Sequence, residues 1–383
     1  MRHWVEFTAL LMDMVMLPVM QLTTRALRSA LSTGKPSSGF DLYMTLANLS
    51  LGTNLLKPDE HTLLLHQMLW QEADTRGIVM REFRLFGLPR SFFIATLPGG
   101  QRISFEGLPI PAHKDKGVWW LDTKSTLTQK FKKAGIPVAK GGKAGTLKKA
   151  ERIFAEIPHP VVVKPFVGSA SRHTTMHVQT ADELKEAYRV AKQVAPFAMI
   201  EEELVGAVYR PTLVDGKLIA TLRRDQPVVY GDGIHTVEEL VATANKHPGR
   251  QGPYFSHIKL DEAALAELAY QNLTPQSVPH KGQRVQLHQK INWSVGGTTT
   301  DVTDDVHPDN IALFEKIATI LKAPVVGIDF IIDDISRSWK EQEKCGVIEC
   351  NSMPFFDNHH LPFEGTPRNV AKHIWDLVDQ PST

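Results

Sequence analysis

A short apolar run ends in two oxygen-bearing side chains. In "GVIECNSMP", residues 346–354, Val347 and Ile348 lead into Glu349, Cys350 and Asn351. Side chains alternate faces along a strand, so positions i and i+2 point the same way. Glu349 and Asn351 therefore present their oxygens on one side. That donor set suits a hard cation such as Mg2+, which takes oxygen ligands and usually brings nucleotide phosphates with it. Twenty residues earlier, Asp329 interrupts a second apolar run, "VVGIDFII" (325–332). A carboxylate there is costly to desolvate unless it is paired or bound to metal. If the two runs pair antiparallel, the oxygens of Asp329, Glu349 and Asn351 converge. The alternative is that Asp329 caps a turn and Glu349 bonds an arginine.

Two lysines extend the pattern. Lys164 ends the strand-like "VVVK", where a lysine is either a snorkelling edge residue or a ligand. Lys124 lies forty residues earlier, at the start of a helix before "AGIPV". Two cations and three metal ligands together would neutralise a triphosphate. "GSASRHTTMH" (168–177) follows Lys164, and small residues after a strand lysine can cover phosphates with backbone N–H groups. This one is poor in glycine and is a weak signal alone. "MIEEELVG" supplies a strand edge whose backbone N–H and C=O suit an adenine edge, although a run of glutamates is more often a solvated face.

The elements that must position these residues alternate from about residue 121 onward. "STLTQKFKKAG", "TLKKAERIFAEI" and "HPDNIALFEKIATILKA" read as helices, and "PVVVKPF", "AMIEEEL", "VVGIDFIIDD" and "GVIECN" read as strands. "LVDGKLIATLRR" reads as a hairpin turning at Asp215-Gly216. Residues 60–120 mix a helix, "HTLLLHQMLWQEADTRG", with strands "SFFIATLP" and "RISFEGLP". Residues 1–32 read as helical and "STGKPSSG" (32–39) as a linker that lacks the glycine and Ser/Thr of a P-loop. The apolar stretch 8–20 is broken by Asp13 and Pro18, too short and too charged to span a bilayer. It reads as an amphipathic helix on the body or on a partner subunit, with a peripheral membrane contact as the minority reading.

At 383 residues and 42% hydrophobic, the chain supports two or three lobes with real cores. A net charge of +1 gives no general attraction to nucleic acid or anionic membrane. Two cysteines, Cys345 and Cys350, fit neither a zinc spacing nor a disulfide framework, which points to a reducing, cytoplasmic setting.

The order Lys124, Lys164, Glu201, Asp329, Glu349, Asn351 resembles the ATP-grasp superfamily. It is most similar to the ATP-grasp module of cyanophycin synthetase and of the fused glutamate–cysteine ligase/glutathione synthetase. The resemblance runs from "LDTKSTLTQKFKKAGIPVAKG" to the C-terminus, about two thirds of the chain. It includes "VYGDGIHTVEELVATANKHPGR", "NWSVGGTTTDVTDDVHPDN", "GIDFIIDDI", "IECNSMP" and "HLPFEGTPRNVA". Residues 45–120 resemble more loosely the domain that precedes it, and the resemblance does not extend to the Mur-ligase-like module of cyanophycin synthetase.

The resemblance implies roles. Lys124, Lys164, Gly168, Ser169 and Arg172 would meet the ATP phosphates. Glu201 and Leu204 would hold the adenine. Asp329, Glu349 and Asn351 would hold two Mg2+ ions, with Mn2+ as a substitute. Arg224 and Asn292 would lie near the transferred phosphate. Gly296 and Gly297 would turn backbone N–H groups toward an acyl phosphate, and His359 would stand near the acceptor. Tyr209 and Arg210 match the family's "YR" after the hinge strand. The chain also departs from the pattern. The phosphate loop lacks two glycines at Ser171 and His173, and Val208 replaces the acid that usually bonds ribose. Phe355 stands for a glycine, and Asp357 lies where a basic residue is common. An acid there would suit an amine or a basic side chain, or is simply solvent-exposed.

The expected fold is α+β: an ATP-grasp fold, two α/β lobes clasping ATP, preceded by a small N-terminal α/β domain and a helix. The expected division is 1–40 helix and linker, 41–120 pre-ATP-grasp domain and 121–383 ATP-grasp domain, with lobes 121–200 and 201–383. The expected function is an ATP-dependent carboxylate–amine ligase acting through an acyl phosphate on amino-acid or small-peptide substrates, with no nucleic-acid partner and no integral membrane span. A degenerate nucleotide-binding partner module and a small-molecule kinase are the alternatives. Homo-oligomerisation is left open.

Overall fold

The computed structural model describes residues 52–85, 87, 91–111, 124–166 and 173–379. The expected N-terminal helix and linker lie outside them, as do Gly168, Ser169 and Arg172 of the phosphate loop. The described residues fall in two compact units. One ends at Ile110 and takes in the end of the last helix from Val378; the other runs from Pro111 to Leu377.

In the first unit, strands β1 (Thr53–Leu55), β2 (Val79–Arg84), β3 (Phe92–Thr96) and β4 (Arg102–Glu106) form an antiparallel meander, and helix α1 (Leu64–Thr75) precedes β2. Its core is aromatic: Trp70 meets Phe93 edge-on at 5.9 Å, and Phe93 stacks on Phe105. Buried Arg84 is held by Glu82 and Asp59, at 2.7 and 2.6 Å.

The second unit carries two antiparallel sheets. The smaller has the order β5 (Gly141–Ala144), β8 (Ala198–Glu202), β6 (Val161–Pro165), β7 (Thr175–Val178). Helices α3 (Leu147–Glu156) and α4 (Ala181–Ala191) bury Ile153, Phe154, Leu184 and Tyr188 in one cluster with its Val161, Val163 and Ile200. Both helices start where the sequence places an acceptor: Thr146 accepts from the Lys149 N–H, and Thr180 with Glu183 makes a capping box. The loop expected over 168–177 is shorter than the sequence reading gives it, because from Thr175 the chain pairs with β6.

The larger sheet has the order β13 (Thr298–Asp301), β10 (Lys217–Asp225), β9 (Ala207–Val214), β14 (Val325–Ile332), β15 (Gly346–Asn351). The β9–β10 hairpin turns at Asp215 and Gly216, both at positive φ, as the Asp-Gly pair requires. One face buries Tyr209, Leu213, Ile328, Phe330, Val347 and Cys350 in the cluster that includes Leu313, Phe314 and Ile317 of helix α7 (Pro308–Leu321). By the two-residue alternation the other face carries Arg210, Thr212, Arg224, Asp329, Glu349 and Asn351. Helix α2 (Lys124–Lys133) adds Leu127 and Phe131 to the buried cluster, and Val347 N–H bonds the Pro137 carbonyl at 2.9 Å, tying the smaller lobe to β15. Between β10 and β13 an insertion forms its own cluster from hairpin β11 (Val228–Tyr230) and β12 (Arg284–Gln286) with helices α5 (Val237–Ala244) and α6 (Glu262–Tyr270).

Gly206 immediately precedes β9. It has φ +122°, and a Cβ there would stand 2.2 Å from the Ile332 carbonyl carbon. Both the backbone conformation and the overlap oppose any side chain. Gly206→Ala should cost about 3 kcal/mol in denaturant unfolding. A loss below about 1 kcal/mol would show that this close approach does not hold β9 against β14.

Candidate active site

The polar face of the larger sheet is organised by one carboxylate. Strands β14 and β15 are antiparallel with Asp329 directly opposite Glu349 and Gly327 opposite Asn351. Opposed residues share a face, so the three oxygen-bearing side chains gather as the sequence spacing requires. Asp329 is buried, and its partner comes from β9: Arg210 Nε donates to Oδ1 and Nη2 donates to Oδ2 at 2.8 Å. Arg224 Nη1 on β10 lies 3.5 Å from the same Oδ1. The arginine that the sequence left as an alternative partner for Glu349 therefore bonds Asp329. Glu349 and Asn351 are half-buried and have no side-chain partner among the described residues.

Two guanidinium groups thus share one carboxylate. Burial opposes the charge on Arg210, but Asp329 more than offsets it and raises its pKa. Arg224 is lowered, chiefly by burial and also by the like charge of Arg210, with Asp329 opposing. The surplus positive charge faces the side on which Glu349 and Asn351 stand. Gly327 makes this packing fit, since a Cβ there would lie 2.7 Å from Pro354 Cβ and 3.3 Å from Arg210 Cδ.

A small pocket is lined by Leu127, Phe131 and Val138 on one side, Val347 and Ile348 on another, with Lys164 and Glu201 at its polar end. Lys164 and Glu201 pair with each other on neighbouring strands β6 and β8. Just beyond, Glu203 N–H bonds Pro160 and Val205 N–H bonds Lys344 at 3.0 Å each, while the backbone N–H and C=O of Leu204 between them have no partner among the described residues. Lys124 is the first residue of α2.

The expected roles of Asn292, Gly296 and Gly297 change. Asn292 caps a 3-10 turn, its side chain accepting from Ser294 N–H at 3.0 Å. Gly296 N–H bonds the Trp293 carbonyl and Gly297 N–H the Asn292 carbonyl, both at 3.0 Å. Those donors close the turn, so they do not face an acyl phosphate here. The turn instead supports Arg224, which donates to the Ile291 carbonyl at 3.4 Å.

Beyond Asn351 the chain crosses Gly327 at Pro354 and enters helix α8 (Asp357–His360). His359 is fully buried, its Nε2 2.8 Å from Thr212 Oγ1 on the polar face, its Nδ1 without a partner among the described residues. Asp357 is not the solvent-exposed acid that the sequence left open. It is 3% exposed, its Oδ1 has no hydrogen-bond partner among the described residues, and its carboxylate accepts from the backbone N–H groups of Asp357 and Asn358. The helix it starts is only four residues long, too short for a periodic pattern to show which of its positions are buried.

Among the described residues no three His, Cys, Asp or Glu side chains gather as a metal group. The set here is two carboxylates and an amide. Its donors are all oxygens; Arg210 occupies both oxygens of Asp329, while Glu349 and Asn351 have no competing partner among the described residues, so these two fit a hard cation on chemical grounds.

No family model matches the chain. It is 33% identical to cyanophycin synthetase of Synechocystis over 366 residues, 92% of this chain and 40% of that protein. It is 29% identical to the bifunctional glutathione biosynthesis protein GshAB of Clostridium perfringens, over 82% of this chain and 40% of that one. The crystal structure of a bifunctional glutathione synthetase from Pasteurella multocida superimposes with a TM-score of 0.61 at 28% identity, over 82% of this chain and 43% of that chain. The chain is a homologue of these ATP-grasp ligases and has the ATP-grasp fold. It spans about two fifths of the length of these relatives. No described helix is long and apolar enough to cross a membrane.

Two buried groups give this ATP-grasp site a pH signature. Burial pushes the Asp357 carboxyl up to about 6, and only its own helix's N–H groups oppose this. Burial holds the His359 imidazole down at about 3, with Arg210 and His360 acting in the same direction. Asp357 binds its proton more tightly folded than unfolded, so its ionisation lowers stability as pH rises from about 4 to about 6. His359 contributes stability above about 6.5 that is lost as pH falls toward 3. The two slopes oppose each other. Asp357→Asn should stabilise the protein by about 2–3 kcal/mol at pH 7.5, with the gain gone by about pH 4. Thermal unfolding across that range checks this, and a pH-independent effect would contradict it.

Proposed function

We propose that the chain is an ATP-dependent carboxylate–amine ligase. ATP phosphorylates a substrate carboxylate, the amine attacks the acyl phosphate, phosphate leaves and an amide forms. Its substrates are amino acids or small peptides, and the two buried thiols, Cys345 and Cys350, suit a cytoplasmic setting. The observation that carries the reading is the facing pair Asp329 and Glu349, with Asn351, beside two arginines, on the strand whose Val347 and Ile348 line the Lys164–Glu201 pocket. The homology to ligases supports amide formation over the kinase and partner-module alternatives. The ATP-grasp part is taken as 121–383, with the lobes meeting near residue 201.

Each residue has a task in this reading. Leu204 offers the adenine one N–H and one C=O, and Glu201 accepts from its amino group. Lys164 faces the phosphates, and Lys124 is the second cation of the sequence pattern. Glu349 and Asn351, with Asp329, would hold one or two Mg2+ ions. When bound, the metal offsets the negative charge of the phosphate oxygens. Arg210 and Arg224 present fixed positive charge where the transferred phosphoryl group sits, and their cost of ordering is met before reaction because Asp329 already holds them. Covalent attachment to the protein is not required.

Phosphate release from ATP with Mg2+, across pairs of carboxylates and amines, with product masses recorded, tests the reading. We expect free phosphate only when both partners are present, and a product mass equal to their sum less water. Asp329→Asn and Glu349→Gln should each lower turnover by about 100-fold or more. A phosphorylated product without free phosphate would establish a kinase, and ATP binding without turnover for any pair would establish a partner module.

A further inference from the structure

We propose that Lys143 is a positioning residue for the nucleotide phosphates: it holds the rings of Phe166 and Phe197 and so fixes the end of β6 that presents Lys164. This deepens the ligase reading and rests on its nucleotide site.

The argument starts from the register of the smaller sheet. Met199 on β8 is paired with Lys143 on β5 and with Lys164 on β6. Ala198 is paired with Ala144 and Pro165, so the next residues, Gly145 and Phe166, come level with Phe197. The Phe166 N–H bonds the Phe197 carbonyl at 2.9 Å, which extends the pairing past the end of β6. Opposed residues share a face, and alternate residues along a strand return to it. One face therefore carries Glu201 in one row, Lys143 and Lys164 on either side of Met199 in the next, and Phe197 beside Phe166 in the third. The opposite face holds Val161, Val163 and Ile200, which α3 and α4 cover.

The two lysines of the middle row turn opposite ways. Lys164 pairs with Glu201. The Lys143 ammonium has no carboxylate and no hydrogen-bond acceptor among the described residues. It lies 3.9 Å from the centre of the Phe166 ring and 3.8 Å from that of Phe197, and the two rings meet edge to face at 6.3 Å. A cation on a ring face is attracted by the ring quadrupole, more so as water is excluded. Lys143 and Phe166 are half-buried and Phe197 is 38% exposed, so burial of apolar area alone does not account for the cluster. The Phe197 ring also rests against β5, where a Cβ on Gly145 would lie 3.0 Å from it.

The cluster sits where the nucleotide site needs a fixed strand end. Phe166 is two residues past Lys164. Pro165 between them has no N–H to give a ladder. Beyond it the chain is held to β8 by the Phe166 N–H and, through Lys143, by the Phe166 ring. Phe166 also leads into the segment that the sequence reading gives to phosphate covering. Losing the cation would free the rings, and with them the direction in which the chain leaves Lys164.

Calorimetric titration of the non-hydrolysable analogue AMPPNP, with Mg2+, into the full chain and its variants reads this without turnover. We expect Lys143→Met and Phe197→Leu each to weaken AMPPNP by about tenfold, and the double variant to lose little more than either, because both break one contact. Lys143→Arg should retain the affinity, since a guanidinium also lies on ring faces. Binding of AMP, which has the base and sugar but one phosphate, should change little. The melting transition of each variant shows whether it is folded. Unchanged AMPPNP affinity in Lys143→Met or in Phe197→Leu, or a loss shared equally by AMP, would overturn the proposal. So would a loss in Lys143→Met that Phe197→Leu does not share, which marks Lys143 as a direct phosphate ligand. If Lys143→Met does not fold, the Phe197→Leu titration decides alone. The nucleotide reading fails separately, if the wild type binds neither AMPPNP nor AMP.

Discussion

The bond between Arg210 and Asp329 is the constraint around which the lobe is arranged. Asp329 sits in a strand whose neighbours Ile328 and Phe330 are fully buried, so its carboxylate must be matched or the strand would lose stability. The match comes from β9, next in the sheet, and the bidentate geometry fixes both side chains at once. Removing either partner would strand a buried charge. The pair holds the guanidinium in place, keeps Arg224 within 3.5 Å of the same carboxylate, and leaves Glu349 and Asn351 as the oxygen donors still open to a ligand. Two positive side chains, Arg210 and Arg224, thus stand against two negative ones, Asp329 and Glu349.

The rest of the lobe maintains that balance. Leu313, Phe314 and Ile317 of α7 close the apolar face of the sheet so that the polar face need carry no core. Gly327 keeps room for Arg210 and Pro354, and Gly206 lets β9 start tight against β14. The contact of Val347 with Pro137 joins the smaller lobe to the strand that carries Glu349, so the pocket and the oxygen set share a rigid element.

The sequence made this face legible because strand alternation is local. Asp329, Glu349 and Asn351 could be placed on one face from spacing alone, and the pairing of β14 with β15 places them there. The Asp215-Gly216 hairpin and the helices that follow Thr146 and Thr180 were legible for the same reason: their signals sit within a few residues of the structure they make. What depended on distant partners was not. Arg210 was visible only as half of a motif, and its bond spans 119 positions along the chain. Gly296 and Gly297 looked like phosphate-facing backbone, but their N–H groups close a turn. Asp357 could be read as exposed or as substrate-facing, and only the packing of α8 against Thr212 through His359 shows it buried.

In the proposed reading Glu349 and Asn351, beside Asp329, hold a divalent cation with the nucleotide. Titration of Mn2+ followed by electron paramagnetic resonance, with and without AMPPNP, measures this directly. The account predicts weak binding to the chain alone, strong binding in the presence of the nucleotide analogue, and loss of the strong binding by about tenfold or more in Glu349→Gln. Equal Mn2+ affinity of the wild type and Glu349→Gln in the presence of AMPPNP would contradict it.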